Sequence, residues 1–281
     1  MKFSLVLATL GRKKELAKFL ESLCSQTYRD FEVVIVDQNP LGFLDKVIDG
    51  FNNEINIKHL NVSFTGLSRA RNYGLKYTDG DIVAFPDDDC WYGQELLDMV
   101  QQLFAENANS LDGIIGHAVT EKGDSLHAWH ITRSMFIDEV TAWRSAMSIT
   151  LFFRRNVIQA VRNFDEKIGV GAGTCYGAGE ETDFALRGLR AGFRFKIFPS
   201  VKIYHPAKKS VGNEEENIAR AYKYSCGMGY VMKKNHTPLW FVGYLFIRSI
   251  GGVFIAMLRG NIQLAKRRIS GIKGRLHGLM T

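Results

Sequence analysis

Short apolar, β-branched runs recur along this chain, and each stops at a polar or acidic residue. Residues 2–9 stop at Thr9, residues 31–36 at Asp37, and residues 81–85 at Pro86 followed by Asp87-Asp88-Asp89. Such runs read as buried strands. Between them the spacing turns helical: residues 13–24 put Leu16, Phe19, Leu20 and Leu23 on one face, and residues 41–51 and 67–77 are helical candidates around a further strand at 55–60. Strands alternating with helices predict an α/β fold, a mostly parallel central sheet flanked by helices on both faces.

In open sheets of that kind ligands bind beyond the C-terminal ends of the strands, which is where Asp37 and the aspartate triplet fall. Adjacent carboxylates after a buried strand are costly unless a cation uses them. Asp87 and Asp89 have the hard oxygens that Mg²⁺ or Mn²⁺ prefers, with open positions left for phosphate oxygens. A bare acidic turn would read as solvated surface. This one lies between a buried strand and aromatic Trp91 and Tyr92, which favours a site.

Downstream, residues 94–104 have helical spacing and residues 113–119 read as a strand. Residues 120–144 have no clear period; with His127, Trp129, His130, Trp143 and Arg144 they read as a substrate surface or lid. A strand is expected at 146–153. Residues 164–179 hold Gly169, Gly171, Gly173, Gly177 and Gly179, but no Gly-Lys-Ser/Thr ends the stretch, so it is not a P-loop. Glu180-Glu181-Thr182-Asp183 then opens a helix closed by Gly192. Acids in a first turn complement the helix dipole, and the residues alone favour that explanation narrowly. Two short strands, 195–198 and 201–204, precede His205, a candidate third metal ligand.

With 281 residues and 46% hydrophobic content the chain can bury a sizeable core. Its four cysteines, 24, 90, 175 and 226, show no paired metal-ligand spacing, and residues 1–9 run straight into a strand, which points to a reducing cytoplasm. Charge is unevenly spread. From Asn217 onward there are eleven Lys and Arg and no acid, against a chain total of +7, so residues 1–216 carry −4. Such a tail suits an acidic partner, nucleic acid or anionic lipid.

Residues 213–234 look helical, and residues 239–258 are apolar apart from Arg248. About twenty apolar residues can span a bilayer. A central Arg costs about 2.5–3.5 kcal/mol on insertion, and Gly243, Gly251 and Gly252 weaken an isolated helix. The next stretch mixes Ile262, Leu264, Ile269, Ile272 and Leu276 with Lys266, Arg267, Arg268, Lys273 and Arg275. The reading favoured is a peripheral helical tail, residues 217–281, on an anionic membrane surface at the cytoplasmic face of the plasma membrane. Single-pass insertion of 239–258 stays open. So does a helical subdomain that packs on the rest or forms a homodimer. The apolar run argues against nucleic acid as partner.

Several motifs in order carry a resemblance. Ser4-Leu5-Val6-Leu7-Ala8-Thr9 with Arg12, Gln26-Thr27-Tyr28-Arg29-Asp30-Phe31-Glu32-Val33-Val34-Ile35-Val36-Asp37, Gly66-Leu67-Ser68-Arg69-Ala70-Arg71-Asn72-Tyr73-Gly74, the aspartate triplet and Glu180-Glu181-Thr182-Asp183 together resemble glycosyltransferase family 2 over residues 3–206. The resemblance implies a GT-A nucleotide-sugar transferase fold over 1–210, with a donor half (about 1–119) and an acceptor half (about 120–210), followed by the helical region 211–281. It implies an inverting transferase using Mn²⁺ or Mg²⁺, a nucleotide-sugar donor, UDP-sugar first, and a glycan or polyprenyl-diphosphate-linked acceptor in surface polysaccharide synthesis.

Carried over by motif, Thr9, Arg12, Asp37, Arg71, Asn72, Asp87 and Asp88 contact the donor, and Asp89, Asp87 and His205 hold the metal. Glu181 is the base, and Glu180, Asp183 and Trp91 face the acceptor. Gln38 and Cys90 depart from residues common in the family, which leaves the donor's identity open but not the reaction class, and Glu181 stands where several relatives have Asp, which bears on its reach to the acceptor hydroxyl. The alternatives are a nucleotidyltransferase, which would not need the Glu181 motif, and a non-catalytic basic protein binding membrane or nucleic acid.

Overall fold

The structure is a computed structural model that describes residues 1–126, 132–207 and 212–281. His127, Trp129 and His130 lie outside the described residues. By packing, the chain divides into two compact units. The first comprises Met1–Thr65, Ala70–Asn163 and Phe184–Ala207; the second comprises Gly66–Arg69, Phe164–Asp183 and the described residues from 212 to 281.

The first unit is built on one sheet. In chain order its elements begin with β1 (Phe3–Thr9), α1 (Lys14–Cys24), β2 (Phe31–Asp37), α2 (Asp45–Asp49), β3 (Asn56–Asn61), α3 (Leu67–Leu75, whose first residues belong to the second unit) and β4 (Ile82–Ala84). They continue with β5 (Trp91–Tyr92), α4 (Leu96–Glu106), β6 (Gly113–Val119), β7 (Met135–Phe136), α5 (Glu139–Ser145), β8 (Leu151–Arg154) and α6 (Arg155–Val161). The unit closes with α7 (Glu180–Arg190, entering at Phe184) and β9 (Phe195–Tyr204). The sheet order is β3-β2-β1-β4-β8-β6-β9-β5, with β7 on β9. The first four strands pair in parallel. Beyond them the sheet is mixed, because β8 runs antiparallel between β4 and β6.

Several sequence expectations change here. Residues 146–153 are not one strand: a 3₁₀ turn at Ser148–Thr150 precedes β8. The unperiodic stretch contains α5, capped by Asp138, whose side chain accepts from the Thr141 N–H. The two short strands at 195–204 are one strand with a break in the ladder. Ile115 faces Ile197 while His117 faces Lys202, so Pro199 and Ser200 fall in the irregularity, where the missing N–H of Pro199 costs no pairing.

One face of α1 buries Leu16, Phe19, Leu20 and Leu23 as its 3–4 spacing requires. Fully buried Phe85, at the end of the β4 segment, packs against Phe184, which also meets Phe153. The strand ends are therefore set in a packed core.

A buried carboxylate ties the starts of the parallel strands together. Glu32 on β2 accepts from Ser4 Oγ at 2.6 Å and Asp79 N at 3.0 Å, and it pairs with Lys58 Nζ at 2.7 Å and Lys2 Nζ at 3.3 Å. Burial would raise its pKa, but Lys58 and Ser4 outweigh burial and hold it below the usual range. Ser4 Oγ in turn accepts from Gly80 N at 2.9 Å.

The second unit contains the loop 164–179 with the first turn of α7, and α8 (Glu214–Lys234), α9 (Leu239–Leu258) and α10 (Ile262–Met280). Helices α8 and α10 touch backbone to backbone: a Cβ on Gly274 would lie 2.2 Å from the Tyr222 carbonyl oxygen, and one on Gly278 would lie 2.0 Å from that of Cys226. The basic character of α10 is thus partly spent inside the unit. Arg267 makes a two-point ion pair with Glu214, and Arg275 donates to Ser249 Oγ at 3.0 Å.

Gly80 marks where β4 joins β1. A Cβ there would sit 2.7 Å from Phe3 C and Ser4 N, both backbone atoms. Gly80→Ala should therefore destabilise the chain by about 1–3 kcal/mol, read as a lower urea midpoint with unchanged slope.

Candidate functional site

Parallel register brings the strand ends to one edge. Thr9 stands opposite Asp37, and Leu5 opposite Ala84, so the chain leaving β4 runs on beside the last residues of β1. Asp88 reaches Thr9: Thr9 Oγ1 donates to its Oδ2 at 2.7 Å. Arg12 Nη1 donates to Asp88 Oδ1 at 2.6 Å and lies 2.6 Å from Asp89 Oδ2. Asp88 is only 6% exposed. Burial dominates its titration and pushes it up to about 6 despite Thr9 and Arg12.

The antiparallel pairing of β5 with β9, Trp91 opposite Tyr204, sets His205 beside the triplet. His205 Nε2 is 3.1 Å from Asp89 Oδ1. Burial would raise the Asp89 pKa, but His205 and Arg12 outweigh it and hold it below the usual range. Burial would lower that of His205; Asp89 outweighs it, and the imidazole is raised. Asp87, the most open of the three, takes an ion pair from fully buried Arg71 at 3.0 Å.

Asp87, Asp89 and His205 offer ligand atoms that all lie within 4.8 Å of one another. The fit to a hard divalent cation is good. Two carboxylate oxygens with one imidazole nitrogen make a mostly oxygen donor set of the kind Mn²⁺ and Mg²⁺ accept. His205 Nδ1 lies 2.7 Å from the Pro206 carbonyl, a bond that leaves Nε2 as the ligand atom in the neutral ring.

Asp37 is fully buried at the end of β2. Its Oδ1 accepts from Asn39 N at 2.9 Å and Asn39 Nδ2 at 2.7 Å, and its Oδ2 bonds His59 Nε2 at 2.9 Å. Asn39 and His59 are the residues that sequence reasoning missed. His59 lies on β3 in parallel register with Ile35, and only that pairing reveals it. Asn72 is buried on α3 next to Arg71. Trp91, assigned to the acceptor side, stacks on Tyr204 at 5.8 Å and carries Lys18 Nζ 3.4 Å over its ring.

The acidic motif belongs to the second unit. Glu180 is buried, Glu181 is half-buried, and both lie in the first turn of α7. Asp183 is fully buried and gripped by the end of α8: Asn235 Nδ2 donates at 2.9 Å and Lys234 Nζ at 3.1 Å, while Lys234 also pairs with Asp165 at 2.7 Å.

The glycine-rich loop is shaped by close approach. Gly171 (φ +78) lies so near Gly66 (φ +123) that a Cβ on either would come within 3.3 Å of the other's backbone. Ser68 Oγ donates to the Ile168 carbonyl at 2.5 Å, and Leu67 N to that of Val170 at 2.9 Å. Between this loop and α8 lies a cleft of about 630 Å³, lined by Gly169, Gly173, Gly177, Arg220, Lys223 and Tyr224 among others.

Comparison with known proteins gives this architecture its relatives. Glycosyl transferase family 2 matches over residues 4–176. The poly(ribitol-phosphate) beta-N-acetylglucosaminyltransferase TarS of Staphylococcus aureus is 28% identical over 54% of this chain. The chain matches about a quarter of that protein's length, 26%. The glucosyl-dolichyl phosphate glucuronosyltransferase of Haloferax volcanii is 26% identical over 60% of this chain and 58% of its own.

Among solved structures, residues 1–349 of S. aureus TarS in complex with UDP-GlcNAc align with a TM-score of 0.60 at 17% identity, covering 100% of this chain and 91% of that one. The mannosyltransferase PcManGT of Pyrobaculum calidifontis, in complex with GDP-Man and Mn²⁺, aligns with a TM-score of 0.65 at 15% identity, covering 99% and 87%. The fold is GT-A, as these neighbours have it.

A cation held at His205 Nε2 would have to displace a proton, which is held more tightly than usual because of Asp89. Mn²⁺ affinity, measured by isothermal titration calorimetry, should therefore climb as pH rises through the range where His205 titrates, by up to about tenfold per pH unit while one proton is displaced. His205→Asn should flatten that slope. A flat wild-type profile would remove His205 from the ligand set.

Proposed function

The chain belongs to glycosyl transferase family 2, and from that premise we propose that it moves a sugar from a nucleotide-sugar donor to a glycan or lipid-linked acceptor in polysaccharide biosynthesis. The observation that carries the reading is the joining of Thr9, Arg12, Asp88, Asp89 and His205 at one sheet edge. A UDP-sugar is the donor favoured, in line with the UDP-GlcNAc held by the TarS structure.

The residues divide the work by their chemistry. Asp37, Arg71 and Asn72 receive the nucleoside. Asp89 and His205, with Asp87, hold the divalent cation, and Arg12 offsets the negative charge of Asp88 and Asp89 so that the site is not over-charged before the donor arrives. When bound, Mn²⁺ or Mg²⁺ supplies electrostatic stabilisation of the diphosphate leaving group. Glu181 accepts the proton of the acceptor hydroxyl as that oxygen attacks the anomeric carbon in line, so the configuration inverts in a single displacement. Asp183, held by Lys234 and Asn235, keeps the first turn of α7 in place under Glu181. Arg220 and Lys223 along the loop cleft suit an acceptor that carries phosphate.

The membrane reading rests on α9. Among the described residues it is the one helix long and apolar enough to cross a membrane, by length and composition. Leu239, Trp240, Ile247, Phe254 and Leu258 are between 64% and 87% exposed, and Trp240, Ile247, Phe254 and Leu258 recur at helical spacing on one face. An exposed apolar stripe beside basic residues suits a peripheral helix on an anionic leaflet.

Glu181→Gln should abolish transfer while leaving UDP-sugar affinity nearly intact; loss of nucleotide affinity instead would argue against the base assignment. Deleting residues 236–281 is a poor membrane test, because it strips α10 from α8. Trp240→Ser with Ile247→Asn and Phe254→Ser should instead release the protein from phosphatidylglycerol-containing vesicles in a flotation assay, with the circular dichroism spectrum retained. Undiminished flotation would sink the membrane reading.

A further inference from the structure

A second group of side chains with metal-ligand chemistry lies in the second unit, away from the aspartate triplet in sequence and unlike it in kind. Cys175, Cys226 and His277 offer ligand atoms that all lie within 4.8 Å of one another. Cys226 Sγ is 3.1 Å from Cys175 Sγ and 3.8 Å from His277 Nδ1. Cys226 is fully buried, and the other two are half-buried. Each comes from a different segment: the glycine-rich loop, the middle of α8 and the last turns of α10.

The three segments are pressed together at this point by glycine. A Cβ on Gly227 would lie 2.1 Å from the Ala178 carbonyl oxygen, and one on Gly278 would lie 2.0 Å from that of Cys226. The loop and α10 therefore approach α8 on either side of Cys226 as closely as backbone allows. Any bulkier residue at Gly227 or Gly278 would separate the ligands.

The sulfur pair is about 1 Å too far apart for a disulfide. It is within about 0.6 Å of the roughly 3.7 Å that two thiolates adopt on a tetrahedral ion with bonds near 2.3 Å. Two sulfurs are soft donors, which with an imidazole select zinc over the hard cations that suit the carboxylates of Asp87 and Asp89. Tyr222, one turn before Cys226, places Oη 2.6 Å from His277 Nδ1; the ion takes that nitrogen in place of the phenol, which then stands beside the fourth position.

We infer that Cys175, Cys226 and His277 form a structural zinc site that fastens the glycine-rich loop to α8 and α10. Zn²⁺ displaces the two thiol protons to solvent and takes the lone pair of neutral His277 Nδ1, with no change of oxidation state. The loop leads directly into α7, so the ion would also steady the turn that bears Glu180 and Glu181. The zinc site does not depend on the chain being a glycosyltransferase.

The test uses the full chain, expressed with zinc in the medium and dialysed against metal-free buffer under reducing conditions. Plasma mass spectrometry should find about one zinc per chain. Cys226→Ser and His277→Ala should lose it, and Cys24→Ser should keep it. Because a variant at a buried position can fail to fold, the wild-type chain is also stripped with a chelator and titrated with Co²⁺. A thiolate-to-cobalt absorption band should appear, and it should be absent with the half-buried Cys175→Ser. The inference is overturned if the wild-type chain takes up neither metal, if zinc survives in Cys175→Ser and Cys226→Ser alike, or if the freshly isolated reduced-lysate protein carries a Cys175–Cys226 disulfide instead.

Discussion

The antiparallel pairing of the two-residue strand β5 with the end of β9 sets Trp91 against Tyr204, and through it the aspartate triplet meets His205. Without that short ladder Asp89 would keep Arg12 but lose His205. With it, three carboxylates are packed against Arg12, Arg71 and His205. The balance of charge is kept locally, which allows Asp88 to be buried at all. The same arrangement leaves Asp87 the most open of the three, so the cluster is both pre-formed and accessible. That is what a site needs if its residues are not to reorganise when a charged ligand arrives.

The second unit solves a different problem. A chain end with eleven basic residues and no acid would repel itself if its charges stood alone. Lys234 instead pairs with Asp165 and Asp183, and Arg267 with Glu214. Gly271, Gly274 and Gly278 on α10 then let that helix lie directly on α8. Glycine in a helix interior is unfavourable by about 1 kcal/mol relative to alanine. Here it is offset by contacts that no other residue would permit. What remains outward is the apolar stripe of α9, with exposed Arg248 and Arg259 near it.

Elements with strong local signals were legible. The apolar spacing of residues 14–24 gives α1, the run at 113–119 gives β6 without change, and residues 239–258 form α9 as their composition suggests. Misreadings cluster where short-range pattern and long-range pairing conflict. Two residues at 91–92 are too few to declare a strand, yet β9 makes them one. Pro199 splits β9 in the sequence, but the ladder with β6 resumes after a break. The Asp138 cap of α5 was a readable signal inside a stretch that had no other period. In the site, Asp37 was visible as an acid at a strand end; its partners Asn39 and His59 were not, because His59 arrives through β3.

The sequence by itself determined the parallel first half of the sheet, the placing of Thr9, Asp37 and the aspartates at its C-terminal edge, and the family to which those motifs belong. These follow from local composition, since a buried run that ends in a carboxylate can finish only at a sheet edge. Tertiary structure decided which partners each aspartate meets. Asp88, the least interpretable of the three by spacing alone, is the one gripped by both Thr9 and Arg12. It also decided that Cys175, Cys226 and His277 meet. Neighbouring residues in a turn point in different directions, and cysteines with no common spacing carry no pattern. Their partners are supplied by strands and helices remote in sequence, so only the packed chain could assign them.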